Sequence, residues 1–176
     1  MVKMIMQVVQ NLEMQVGEVD ISQIKFNPKS RDDIPKILRG LQQLYMQLPI
    51  RTAIFKLLEE ELLPPDVDKN NGREGMSLWA IFVCGVIRLD LNINYDHLEG
   101  LTNKHIDIRA MLGHGRFNEK YYDFQTLMDN VKLFTPELLD KINQYLVSEG
   151  HVLVGPRLVK KKGSRSAAWA LRLLCR

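Results

Sequence analysis

The chain has 176 residues, of which 45% are hydrophobic and 26% charged, the balance of a soluble globular domain with room for one core and a tail. Two cysteines, Cys84 and Cys175, exclude a disulfide framework and point to a reducing cytoplasm. The longest apolar run, Leu78 to Ile87, is about half of a membrane span, and the N-terminus lacks a signal-peptide core, so neither membrane insertion nor secretion is expected.

The net charge of +3 is unevenly spread. Residues 157–176 carry Arg157, Lys160, Lys161, Lys162, Arg165, Arg172 and Arg176 and no acid, which is +7, whereas the preceding residues hold the other 17 basic and all 21 acidic side chains, net −4. The body is therefore mildly acidic, and any nucleic-acid binding by it has to come from local basic patches.

Along the chain, residues 1–29 read as an N-terminal arm in which Val16 to Phe26 alternates loosely, compatible with a short strand or an extended segment. Ser30, followed by Asp32 and Asp33, has the spacing of a capping box, and Ile34, Ile37, Leu38, Leu41, Leu44 and Tyr45 recur at helical spacing. A break near Leu48-Pro49 leads to a second amphipathic run, Ile50, Ile54, Leu57 and Leu58, which Pro64-Pro65 ends. After a polar loop over residues 64–75, Met76 to Leu91 is apolar on nearly every side, which predicts a central buried helix rather than a strand and puts Trp79 and Cys84 in the core. The same helix has a second reading as a dimer interface. Asn94 caps a short helix bearing Tyr95, Leu98 and Leu101; a second short helix holds Ile108, Met111 and Leu112 and closes at Gly113 in a left-handed turn. Phe124, Leu127, Met128 and Val131 mark another helix. Thr135-Pro136-Glu137 starts the last one, with Leu138, Ile142, Tyr145 and Leu146 inward and Gly150 at its end.

Catalytic and metal signals are weak. Glu59-Glu60-Glu61 points around a helix and does not converge, and His97, His105, His114 and His151 are too widely spaced for a zinc motif. Gly72-Arg73-Glu74-Gly75 lacks the lysine and spacing of a phosphate-binding loop. The stronger pattern is basic: Lys104, Arg109, Arg116 and Lys120 flank the two short helices and the Gly113-His114-Gly115 turn. Two short helices joined by a tight turn have the shape of a major-groove reader, with Lys and Arg on phosphates and His114 as a neutral donor. On the next helix Gln125, Asp129 and Lys132 share a face; the amide suits an adenine edge, and the carboxylate opposes phosphate.

Asn70-Asn71-Gly72-Arg73-Glu74-Gly75-Met76-Ser77-Leu78-Trp79, Asn94-Tyr95-Asp96-His97-Leu98, Arg109 to Gly115, and Thr126 to Glu137 stand in an order that resembles the N-terminal helical region of bacterial insertion-sequence transposases of the DDE type, in particular the group filed as not classified yet. The resemblance covers roughly residues 18–155. It implies a region that binds terminal inverted repeats and helps to dimerise the enzyme. It also implies that the catalytic carboxylates and their divalent metal ions belong to a domain beyond this segment, so no cofactor is expected here. Residues 160–176 depart from the family's linker, with the Ala/Arg/Ser/Leu composition of a shifted reading frame, and the expectation is a transposase truncated before its catalytic domain.

The expectation is thus an all-α chain: a compact multi-helix domain over residues 30–155 with helix-turn-helix-like short helices, an extended arm over 1–29 and a basic, disordered tail over 156–176. Its expected partner is double-stranded DNA at the element ends, contacted by Arg73, Lys104, Arg109, His114, Arg116, Lys120, Gln125 and Lys132 and by the tail's Lys160, Lys161 and Lys162. A homodimer or full-length transposase is the further expected partner, and the alternative function is a helical interaction module that binds or inhibits that transposase. No membrane partner is expected.

Overall fold

A computed structural model describes residues 18–27, 29–62 and 76–154. The loop bearing Arg73 and the tail bearing Lys160, Lys161 and Lys162 lie outside them. Among the described residues the protein is all-helical: a 3-10 turn at Ile21–Gln23, then α1 (Ile34–Met46), α2 (Leu48–Leu62), α3 (Leu78–Leu91), α4 (Tyr95–Lys104), α5 (Ile106–Met111), α6 (Phe124–Val131) and α7 (Pro136–Val154). None of these helices is long and apolar enough to cross a membrane.

The hub is α3. Ser77 starts it by accepting a hydrogen bond from the Ala80 amide at 3.2 Å, and Asn92 ends it in the left-handed conformation at φ 50°. Every residue from Ala80 to Ile87 is buried, because α1, α2, α4 and α6 all pack on this helix. An all-round apolar sequence therefore forms the centre of a single-chain core, so its surface is already used within one chain. Aromatic rings extend the hub. Trp79 lies 4.9 Å from the Tyr45 ring and 5.8 Å from Phe82, and Phe82 meets the edge of Phe134 at 5.8 Å. Such tilted and edge-on pairs add to the area they bury.

The ends of the other helices follow local chemistry. Asn94 and Asp123 accept from the His97 and Thr126 amides at 2.9 and 2.8 Å, and Thr135 accepts from the Leu138 amide at 3.3 Å. Each satisfies a donor that the first turn leaves free. Two ends differ from the sequence reading. The Ser30 hydroxyl accepts from the Asp32 amide and the Asp32 carboxylate from the Ile34 amide, so two successive side-chain turns precede α1, which begins at Ile34 with Pro35 in its first turn. Proline's fixed φ favours that position, which moves the start downstream of the serine. Gly150 does not stop α7, which continues to Val154. A glycine inside a helix costs about 1 kcal/mol, which neighbouring turns absorb.

The described part of the arm makes one isolated bridge and the 3-10 turn at Ile21–Gln23, with extended residues around them. Glu18 forms an isolated antiparallel bridge with His114, and the Val19 amide donates to the Gly113 carbonyl at 3.1 Å. The Gln42 amide on α1 then donates to the carbonyls of Ile21 and Ile24 at 2.7 and 2.9 Å, seating Ile21 in the core. The arm thus ties α1 to the turn that follows α5.

Candidate nucleic-acid interface

Between α5 and α6, residues 112–123 contain no helix, yet their backbone is held from three sides. Gly113 takes a φ of 83°, the left-handed conformation expected for it, and lets the chain reverse after Met111. The Trp79 indole N–H donates to the Met111 carbonyl at 2.8 Å, anchoring that reversal to α3. The Asn103 side chain on α4 donates to the Tyr122 carbonyl at 2.7 Å and accepts from the Tyr122 amide at 2.9 Å, pairing with the loop backbone as a neighbouring strand would.

The third hold is Arg109. Its guanidinium donates through one terminal nitrogen to the Lys120 carbonyl at 3.0 Å and through the other to the Asn118 carbonyl. The planar fork suits two convergent acceptors, a task that an ammonium on a flexible stem performs poorly. Asn118 turns the chain further, accepting from the Lys120 amide at 2.8 Å through its side-chain oxygen. Arg109, expected as a phosphate contact, thus serves as the clamp that shapes the loop, with part of its cationic surface still open.

His114 lies inside the same arrangement. Its Nε2 is 2.8 Å from the Tyr122 hydroxyl, and the two rings are 5.6 Å apart. Burial, then the nearby Arg109 and Lys120 cations, push the His114 pKa down to about 4, whereas Glu18 opposes the shift. Burial likewise raises the Tyr122 hydroxyl to about 12. Both groups are therefore neutral at neutral pH, and the His–Tyr pair is an uncharged strut between the two ends of the loop.

A pH test follows. An unfolded histidine binds its proton near pH 6.5, and His114 in the fold near 4. Stability is thus fully present above the unfolded value and is lost as pH falls toward the folded one. Because His114 is only half buried, the loss should be about 1–2 kcal/mol rather than the full linkage value. Denaturant titrations at neutral and acid pH should show this loss in the parent and a smaller one in His114→Asn. Equal acid sensitivity of the two proteins would remove His114 from the linkage.

The cations divide into two groups. Arg116 and Lys120 are exposed on the loop, and Lys104 is exposed at the C-terminus of α4, next to Asn103. Arg116 and Lys120 belong to the loop that Arg109 clamps, and Lys104 follows Asn103, which pairs with that loop's backbone at Tyr122. Gln125 is on α6 and Lys132 is the residue that follows its last turn, and both are tied to Asp129: the Gln125 amide donates to one carboxylate oxygen at 2.7 Å and the Lys132 ammonium to the other at 3.0 Å. These hydrogen bonds, Gln125 first, hold the Asp129 carboxyl below its usual range. The α6 face is accordingly a self-paired surface, less open to an incoming phosphate than the loop.

Asn103, Asn118 and Tyr122 were not singled out by sequence. An asparagine late in a helix, where its propensity is poor, was the one local hint for Asn103. Elsewhere, Cys84 is fully buried and its thiol is pushed up to about 12, which makes it an inert core residue. Among the described residues no group of three or more His, Cys, Asp or Glu side chains is placed to hold a metal ion.

Comparison with family models, with curated proteins and with solved structures returns no match for this chain.

Proposed function

We propose that this chain is a cytoplasmic DNA-binding protein that recognises the terminal repeats of an insertion sequence, as the non-catalytic helical part of a DDE-type transposase. The observation that supports this reading most is the clamped loop 112–123. It presents Arg116 and Lys120 to solvent beside Lys104, on a backbone that Arg109 and Asn103 hold in one shape. A held backbone leaves less conformational entropy to lose when its side chains meet phosphates. Lys160, Lys161 and Lys162 add non-specific attraction by counterion release, and Arg73 adds a further cation ahead of α3.

The test is a salt titration of duplex DNA binding by the full chain and by a variant carrying Lys104→Ala, Arg116→Ala and Lys120→Ala. Removal of each cation that touches a phosphate should lower the slope of log K against log[salt] by about one. A slope equal to that of the parent removes this surface from the interface. Selection from a random-sequence duplex pool then reads specificity: enrichment of one sequence supports recognition of ends, and no enrichment leaves only non-specific binding.

One observation favours a second reading, a module that pairs with another copy or with an intact transposase. Met46 and Leu48, at the corner between α1 and α2, are both more than half exposed. Light scattering and co-purification with an intact relative separate the two readings.

A further inference from the structure

Phe117 is 92% exposed, the extreme among the exposed large apolar residues of the described chain. It stands at the tip of the clamped loop. The Asn118 amide donates to the Gly115 carbonyl at 3.1 Å, closing a turn with Arg116 and Phe117 at its centre. Immediately beyond, Arg109 fixes the Asn118 and Lys120 carbonyls, and Asn118 caps the Lys120 amide. These bonds fasten the backbone on the far side of the tip, and the ring projects from it into solvent. The protein therefore keeps an aromatic ring in water on a stiff support, against the hydrophobic gain that burying it would bring.

The neighbours indicate what would cover the ring. Arg116 precedes it, and Lys120 lies just past the clamp with its ammonium over the Tyr122 ring at 5.9 Å from the centroid. Glu119 is the single carboxylate of the tip. Tyr121 adds a second exposed ring, whose hydroxyl donates to Glu99 at 2.6 Å. Cations beside a projecting aromatic match a phosphate backbone with a base face between phosphates. A phenyl ring has no hydrogen-bonding group, so it reads the face of a base rather than its edge. In an intact duplex those faces are covered by stacking, and they become available where a base is unpaired or a step is opened.

We propose that Phe117 stacks on a nucleobase at an unpaired or opened step of DNA, while Arg116 and Lys120 hold the flanking phosphates. This inference rests on the DNA-binding reading above and adds its substrate class: DNA with a disrupted step rather than uniform duplex.

The experiment compares two probes of one sequence, a fully paired duplex and the same duplex with a central mismatch that contains 2-aminopurine. Binding is followed by anisotropy and stacking by the 2-aminopurine emission. The full-length parent should bind the mismatched probe more tightly and quench its emission. Phe117→Ala should weaken binding to the mismatched probe by about ten-fold, more than to the paired one, and abolish the quenching, and Phe117→Trp should restore both. The ring is outside the core, so thermal melts should confirm that the variants are folded. If the parent binds both probes equally and Phe117→Ala matches it, stacking is overturned and DNA binding stands. If the parent binds neither probe, the DNA reading falls and stacking falls with it. If Phe117→Ala instead dissolves a self-association seen in sedimentation equilibrium, the tip is a protein contact and stacking is overturned.

Discussion

Gly85→Ala should destabilise the fold by about 2 kcal/mol or more, although alanine is the better helix former. Gly85 is on the buried face of α3, directly under Phe134 in the turn between α6 and α7. A Cβ at this position would lie 2.3 Å from Cδ1, 2.5 Å from Cγ and 2.9 Å from Cβ of Phe134. These are the inner atoms of that side chain, so a small rotation of the ring does not relieve the overlap. Nor can the residue retreat, because Phe134 is only 1% exposed and abuts the Phe82 ring. The helix-propensity gain of about 1 kcal/mol is therefore outweighed by overpacking, which costs about 1–3 kcal/mol and more where the backbone has to move. Denaturant unfolding of Gly85→Ala, of Phe134→Ala, which removes the overlapping Cγ and Cδ1, and of the double variant forms a cycle. The double variant should be more stable than the sum of the single losses, because the smaller side chain makes room for the added methyl. Strict additivity, or a Gly85→Ala protein as stable as the parent, would show that α3 and this turn are not packed so closely.

Arg109→Lys should cost about 1–2 kcal/mol and loosen residues 113–122 while retaining the charge. The guanidinium fork reaches the carbonyls of Asn118 and Lys120 at once, and a lysine ammonium reaches one of them at best. Native-state hydrogen exchange is the more discriminating readout. The Asn118 amide, bonded to the Gly115 carbonyl, and the Tyr122 amide, bonded to Asn103, should both lose protection, whereas amides in the middle of α3 should not. The salt slope of DNA binding separates positioning from direct contact. A broken clamp that keeps its charge leaves the slope near that of the parent but lowers affinity, since the cations of the loop are no longer pre-placed. Unchanged exchange in the loop would show that Asn103 and Tyr122 hold it without the arginine.

The two tests concern different distances along the chain. The helices were legible because their signals are local. The apolar run of α3, the caps at Asn94 and Thr135, and the left-handed glycine at 113 act within one or two turns, where residue spacing translates directly into geometry. Local signals erred at ends that depend on neighbours: α1 begins at Ile34 after two side-chain turns, α5 and α6 stop one residue short of Leu112 and Lys132, and α7 runs through Gly150.

The candidate site was legible only as a composition of basic residues around a glycine turn. Spacing could not show that Arg109 is a clamp and Arg116 is free, because the two look alike in a helical or loop pattern. The difference arises where carbonyls nine and eleven residues away converge on one guanidinium. Likewise Asn103 acquires its role from a backbone segment 19 residues on, Trp79 from a carbonyl 32 residues on, and Gly85 from a ring in another turn. Helix formation is an exchange between near neighbours, so it is written in the order of residues. The shape of the loop depends on which distant carbonyls and rings the packing of α3, α4 and α5 brings together, and that arises only when the core closes.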